Sequence, residues 1–236
     1  MTANLKDKVA LVTGGANGIG RAAAELLAER GATVITFDRQ GAEPAAGGRA
    51  VRGDVSNESQ IIQLFADIAA REKRLDVCVN CAGYQPIRPL LETTGQDLDA
   101  VLAVNVKGTF LVGREAARMM LRQPPGGRII NIASELAYLG RADYSAYCAS
   151  KGAILSLTRA WARELAPHIL VNSVAPGPTD TALIPRDEIP REVESVLLRR
   201  LAEPREIAAV IAFLAGPEAT YVTGQCVSPN GGAVMF

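Results

Sequence analysis

The chain has 236 residues, enough for one domain with a sizeable core, and 48% of them are hydrophobic. Twenty-five basic residues balance 25 acidic ones, so no charge excess points to nucleic acid or an anionic membrane surface, and neither is an expected partner. No apolar run approaches the ~18 residues of a membrane span, and the polar residues 1–8 lack a signal peptide's apolar core; a cytoplasmic protein is expected.

In chain order, short apolar runs alternate with longer segments of helical period. Strands are expected at residues 9–13, 33–38, 50–51, 75–80, 128–133, 169–174 and 225–228, and helices at about 19–30, 58–71, 96–121, 144–165 and 204–214. This alternation predicts an α/β, Rossmann-like doubly wound fold. Its parallel sheet has about seven strands with helices on both faces, in a single domain over residues 1–236. The segments 41–48 and 123–127 read as loops too short to link domains. Residues 177–202 differ: Pro178, Pro185 and Pro190 punctuate a long connection after a strand, where a substrate loop is expected.

Cys78 and Cys81 have redox or zinc-ligand spacing. A zinc site would want a second ligand pair, and the single histidine, His168, is far away in sequence; no metal is expected. Cys78 falls inside a strand rather than at a helix start, so it reads as a small buried hydrophobe.

The first strand runs into Gly14, Gly18 and Gly20 before a helix. Glycines permit positive φ and close approach of backbone to a pyrophosphate, and the helix start offers free N–H groups to the phosphates. Asp38 ends the second strand, where a carboxylate can accept from ribose hydroxyls and repel a 2′-phosphate. That favours NAD over NADP, although Arg39 beside it could pair with a phosphate. Tyr147 and Lys151 stand four apart on a helix and share a face. An ammonium beside a phenol favours the phenolate, and such a pair can exchange a proton with an alcohol or carbonyl oxygen.

With the Gly-rich turn, Asn80-Cys81-Ala82-Gly83, Asn105, Ser134 and Pro176-Gly177 in this order, the chain resembles the classical short-chain dehydrogenase/reductase family over nearly its whole length. The resemblance implies hydride exchange between a nicotinamide cofactor and an alcohol or carbonyl. It implies that Tyr147 moves the proton, Lys151 lowers its pKa and holds the nicotinamide ribose, and Ser134 hydrogen-bonds the substrate oxygen. Asn105 would bend its helix and hold a water beside the lysine. Asn17 fits NAD, since relatives using NADP often carry a basic residue there. Ile19 belongs to the phosphate turn, Asp54 would meet the adenine with Val55 beside it, Ala82 and Gly83 would leave room for the adenosine ribose, and Asn80, counted with the cofactor contacts, can tie the strand ends together. Pro176 and Gly177 would line the nicotinamide, and Thr179 and Thr181 its carboxamide or the diphosphate. Glu135, Leu136, Tyr84, Gln85, Tyr144, Leu183 and Ile184 are candidates for the substrate pocket.

Two departures stand out: residues 163–172 are shortened against many relatives, and Asn230 sits where an Asp is common. The leading expectation is an NAD-dependent dehydrogenase of secondary alcohols, polyols or their ketones. The alternatives are an NADP-dependent 3-oxoacyl-carrier-protein reductase and a catalytically silent nucleotide sensor on the same fold. By resemblance a homotetramer is expected, with the helices 96–121 and 144–165 packing against their copies. Small apolar residues at helical spacing (Ala146, Ala149, Ala153, Leu157, Ala160; Val101, Val104, Gly108, Leu111, Val112) would allow close approach, unless one of these faces simply covers the sheet.

Overall fold

A computed structural model describes residues 5–41 and 43–235. Positions 1–4 of the polar start and residue 42 of the 41–48 loop therefore lie outside the described residues. The strands β1 (Val9–Thr13), β2 (Thr33–Asp38), β3 (Arg49–Arg52), β4 (Val77–Asn80), β5 (Gly127–Ile132), β6 (Ile169–Val174) and β7 (Cys226–Val227) form one parallel sheet. Their order is β3-β2-β1-β4-β5-β6-β7. The expected doubly wound sheet is thus borne out.

Side chains alternate across each strand, so the central strands feed two cores. Ala10, Val12, Val34, Val77, Val79, Ile130 and Ile132 pack under α1 (Gly18–Glu29) and α8 (Pro204–Ala215). Leu11, Ile35, Phe37, Cys78, Ile129 and Val171 face α2 (Glu58–Arg71), α4 (Thr109–Met120) and α6 (Ser145–Leu165). With both faces covered, the strands read as unbroken apolar runs, which is why the sequence shows no alternation in β1 or β4.

The chain leaves β1 toward β2 and β3, then returns to place β4 on the other side of β1. The crevice at this reversal is where ligands of open α/β sheets bind. Thr13 pairs with both Phe37 and Asn80, Asn80 with Asn131, and Ile132 with Val174, so the carboxyl ends of five strands lie level. The Thr13 hydroxyl accepts from the amides of Cys81 (3.1 Å) and Ala82 (3.2 Å), tying β1 to β4 at the crevice.

The expected single helix over 96–121 is three segments. α3 (Gly95–Leu102) opens on a capping box between Thr94 and Asp97. A π-helical turn follows at Ala103–Gly108, and α4 continues from Thr109. Asn105 lies in the π turn with its side chain bonded away from the helix, while the Thr109 hydroxyl donates to the Asn105 carbonyl at 2.7 Å. Hydrophobic period does not separate an i→i+5 turn from an α turn, so this break is invisible in sequence. Short helices at α5 (Leu136–Leu139) and α7 (Ile189–Ser195) were likewise not expected. The 177–202 excursion contains α7, and its ends clamp together: Ala202 donates to the Pro178 carbonyl and Asp180 to the Ala202 carbonyl, both at 2.9 Å.

Candidate active site

The strand ends open into a cleft of ≈ 470 Å³. Its floor at one end is the turn from β1 to α1. Gly14 has φ +68°, and a Cβ there would lie 2.8 Å from Ala82 Cα; a Cβ on Gly20 would lie 2.1 Å from the Gly14 carbonyl oxygen. Only glycine lets this turn close against the β4 loop. Asn17 precedes α1 but does not cap it: its amide instead donates to Gln40 Oε1 at 2.7 Å. No acidic side chain sits in the first turn either, so the N–H groups of that turn and their positive dipole end face the cleft without a competing anion. A dinucleotide's phosphates fit such a turn.

Asp38 stands at the far edge of this turn, accepting from the Ala16 amide at 3.1 Å and the Gln40 amide at 2.9 Å. Both donors fix its carboxylate on the cleft wall. Arg39, mostly exposed, lines the cleft beside it and lies 4.0 Å from Asp54. Asp54 Oδ1 is also held by the amide and hydroxyl of Ser56, each at 2.8 Å.

At the other end, α6 carries Tyr147 and Lys151 one turn apart, both buried, beside Ser134 after β5. Lys151 Nζ donates to the Ile132 carbonyl at 2.7 Å and lies 5.5 Å from the centre of the Tyr147 ring. Burial holds its ammonium down to about 8. Burial also pushes the Tyr147 phenol above its ordinary value, opposed by a hydrogen bond with Ser134. Desolvation of the charged phenolate dominates, and the Lys151 ammonium, turned to the Ile132 carbonyl, is not among the groups that lower the phenol. Asn105 accepts from the Tyr84 amide at 2.8 Å and donates to the Tyr84 carbonyl at 3.0 Å and to Ser150 Oγ at 2.9 Å. It thereby joins the π turn to the β4 loop and to α6.

Of the residues expected at the site, Gly14, Asn17, Gly18, Ile19, Gly20, Asp38, Asp54, Val55, Ala82, Gly83, Gln85, Ser134, Glu135, Leu136, Tyr147, Lys151, Pro176, Gly177, Thr179, Thr181, Leu183 and Ile184 line this cleft. Four do not. Asn80 lies behind it, donating to Asn131 Oδ1 at 2.8 Å, and Asn105 is enclosed by the partners just named. Tyr84 turns its ring outward and contributes only backbone, and Tyr144 packs into a cluster with Leu136 and Tyr147 under the Arg141 guanidinium. Arg141 and Glu192 line the cleft without having been foreseen, because no local pattern marks either.

The remaining motifs resolve simply. Cys78 is enclosed in the core, and burial raises the thiols of both Cys78 and Cys81 to about 12. Asn230 donates to Ser228 Oγ and the Val234 carbonyl and accepts from the Gly232 amide, two donations an Asp could not make. Of the two small-residue faces, Val101, Gly108, Leu111 and Val112 are buried within the chain against the sheet and its neighbours, whereas Ala149 and Ala160 on α6 are exposed. No helix among the described residues is long and apolar enough to cross a membrane.

A family model described as enoyl-(acyl carrier protein) reductase matches residues 14–234. A 3-oxoacyl-[acyl-carrier-protein] reductase of Thermotoga maritima is 35% identical over 98% of this chain and 99% of its own. A dehydrogenase/reductase structure from Sinorhizobium meliloti superposes with a TM-score of 0.93 at 38% identity, covering 99% of this chain and 98% of that one. The chain belongs to the short-chain dehydrogenase/reductase family. It is therefore an oxidoreductase acting on hydroxyl or keto groups with a nicotinamide cofactor, rather than a silent sensor. A putative gluconate dehydrogenase from Agrobacterium tumefaciens also superposes, with a TM-score of 0.90 at 33% identity over the whole of both chains.

Proposed function

We propose that this enzyme transfers a hydride between NAD(H) and a secondary alcohol or polyol, or the corresponding ketone. The observation that carries the reading is the convergence of Ser134, Tyr147 and Lys151 at one end of a cleft whose other end carries the Asp38 carboxylate. The turn at Gly14–Gly20 would hold the diphosphate, Asp38 the adenosine ribose, and Lys151 the nicotinamide ribose. The cofactor supplies or accepts the hydride. Ser134 holds the substrate oxygen, and Tyr147 exchanges the proton with it. A phenol that burial keeps protonated is suited to donating to the oxygen of a ketone under reduction. Asn105 acts through position, bracing the Tyr84 loop against the helix that carries Tyr147 and Lys151.

NAD rather than NADP is favoured by Asp38, whose charge would meet a 2′-phosphate, against Arg39, which lines the same cleft and could pair with one. The competing reading, an NADP-dependent 3-oxoacyl thioester reductase, draws on the Thermotoga relative. Titration with NADH and NADPH, followed by turnover of an alcohol and ketone panel beside acetoacetyl-CoA, separates the two: preference for NADPH with thioester reduction alone would overturn the alcohol reading. A homotetramer is part of the proposal, supported by Ala149 and Ala160 left exposed on α6 and by the half-exposed Phe110 ring against Trp161. A single-domain, cytoplasmic enzyme completes the reading.

A further inference from the structure

The 177–202 excursion is joined to the rest of the chain by few groups. The bonds of Pro178, Asp180 and Ala202 close its neck, and Thr179 and Val196, 5% and 2% exposed, are buried near its two ends. Among the described residues 180–195 between them, Glu192 alone is buried. A docked helix ordinarily turns an apolar stripe inward, whereas α7 turns a carboxylate. The bonds that Ile184, Glu188, Arg191 and Ser195 make are to Thr181, Pro185, Glu188 and Glu192, all inside the excursion. The Glu192 carboxylate leads out of it, accepting from the Arg141 guanidinium, and the two side chains are 5% and 15% exposed. That guanidinium lies 5.5 Å from the centre of the Tyr144 ring, and Tyr144 packs with Leu136 and Tyr147. Arg141 and Glu192, together with Ala182, Leu183 and Ile184 of the excursion, line the cleft that holds Ser134 and Tyr147.

Desolvating two charges cancels much of what their attraction returns, so a buried ion pair adds little permanent hold. On parting it behaves differently from an apolar anchor. When both ions reach water they recover their hydration, and the seat can open and close again. When one partner is missing, the other stays buried uncompensated unless the segment lifts. A third charge sharpens that state here. Glu135, 5% exposed, repels Glu192 and attracts Arg141, so without the guanidinium two buried carboxyls share the site with no counter-charge.

We propose that the Arg141–Glu192 ion pair is the latch that seats residues 180–195 against the cleft, so that Arg141 and Glu192 are positioning residues for the substrate, acting through Ala182, Leu183 and Ile184. The inference takes from the proposed function only that substrate binds in this cleft. The test compares the wild type with Arg141→Met, Glu192→Leu and the double variant Arg141→Met/Glu192→Leu. The first assay is limited trypsin cleavage of the folded chain, for which Arg186 and Arg191 lie exposed in the segment. Such cleavage tracks the population of the open form, so each single variant is cut there at least about tenfold faster, and the double variant, an apolar pair with no charge to satisfy, returns toward the wild type. The second assay is steady-state reduction of butan-2-one and of acetoacetyl-CoA. For whichever is turned over, KM rises at least about fivefold in the single variants while kcat changes by less than about threefold and affinity for the reduced cofactor by less than about twofold. Glu192→Leu carries both assays if Arg141→Met does not fold. Unchanged cleavage in the single variants overturns the latch whatever the substrate is, and a lowered melting temperature beside it assigns the pair to general stability. Faster cleavage with unchanged KM overturns the positioning role. Faster cleavage in a protein that reduces neither ketone upholds the latch and shows instead that the proposed function has failed.

Discussion

Replacing Glu135 by glutamine should stabilise the protein, and by more as the pH rises. The carboxyl titrates at about 7 in the folded protein against an ordinary value of 4.5, chiefly because it is buried and secondarily because Glu192 repels its charged form. The sign follows from proton linkage: the folded state binds this proton more tightly than the unfolded chain. Its contribution to stability is therefore full below the unfolded value and is lost as pH rises toward the folded one. A span of about 2.5 pH units corresponds to roughly 3 kcal/mol once both values are passed. Between about pH 5.5 and about pH 8 the advantage of Glu135→Gln should grow by roughly 2 kcal/mol. For a chain of this length that amounts to about 4–8 °C in relative melting temperature. Glutamine keeps the shape and removes the charge, so Arg141 and Glu192 retain their ion pair. Thermal unfolding of both proteins at matched concentration across this pH range is the assay. Parallel melting-temperature curves would refute the picture of a carboxylate forced to ionise while buried beside Glu192.

Three further outcomes are expected. Tyr147→Phe should retain fold and cofactor affinity but lose roughly 10²–10⁴-fold in turnover, since it deletes only the proton-bearing oxygen; a variant with half the wild-type rate would remove Tyr147 from the chemistry. Asp38→Ala should narrow the preference for NAD over NADP in kcat/KM, because the charge facing the 2′-position is gone; wild-type preference for NADPH would defeat the assignment. Light scattering at micromolar protein should give a mass near four times the 24.9 kDa chain, and a stable monomer would end the tetramer reading.

What the sequence could disclose was local. The β1–α1 turn was readable because strand, glycines and helix are contiguous, and each glycine's steric duty falls on its own neighbours. Tyr147 and Lys151 were readable because a helix fixes their shared face in advance. Asp38 was readable as the last residue of a strand whose end had to lie at the crevice. The Arg141–Glu192 pair was not, since its partners come from a loop and a short helix 51 positions apart. Tyr84 and Tyr144 fall outside the cleft for a related reason: a residue's neighbourhood in sequence fixes its element, but where its ring lies depends on what packs there. The apolar face around Leu111 shows the same limit. Its spacing suits a partner helix and a covering sheet equally, and tertiary packing decided for the sheet.

The π turn at Ala103–Gly108 also constrains how this chain can change. An i→i+5 turn holds one residue more than an α-turn, so it takes up an extra residue while the faces of α3 and α4 on either side keep their alignment. Losing one residue there would let the segment relax into continuous α-helix with α3 and α4 facing as before, whereas losing one from the body of α3 or α4 would turn the rest of that helix by about 100°. Val101 would keep its buried position, and the loss would fall on the bulge that carries Asn105 to the Tyr84 backbone and Ser150. A point substitution along α3 removes one contact, but a single-codon deletion in the turn would take away every bond of Asn105 to the Tyr84 loop and to the helix of Tyr147 and Lys151 at once. Length, more than identity, is what this stretch must conserve, and length variation in the chain should gather instead at places such as the exposed start of α3, where a side chain added at Gly95 would meet no neighbour.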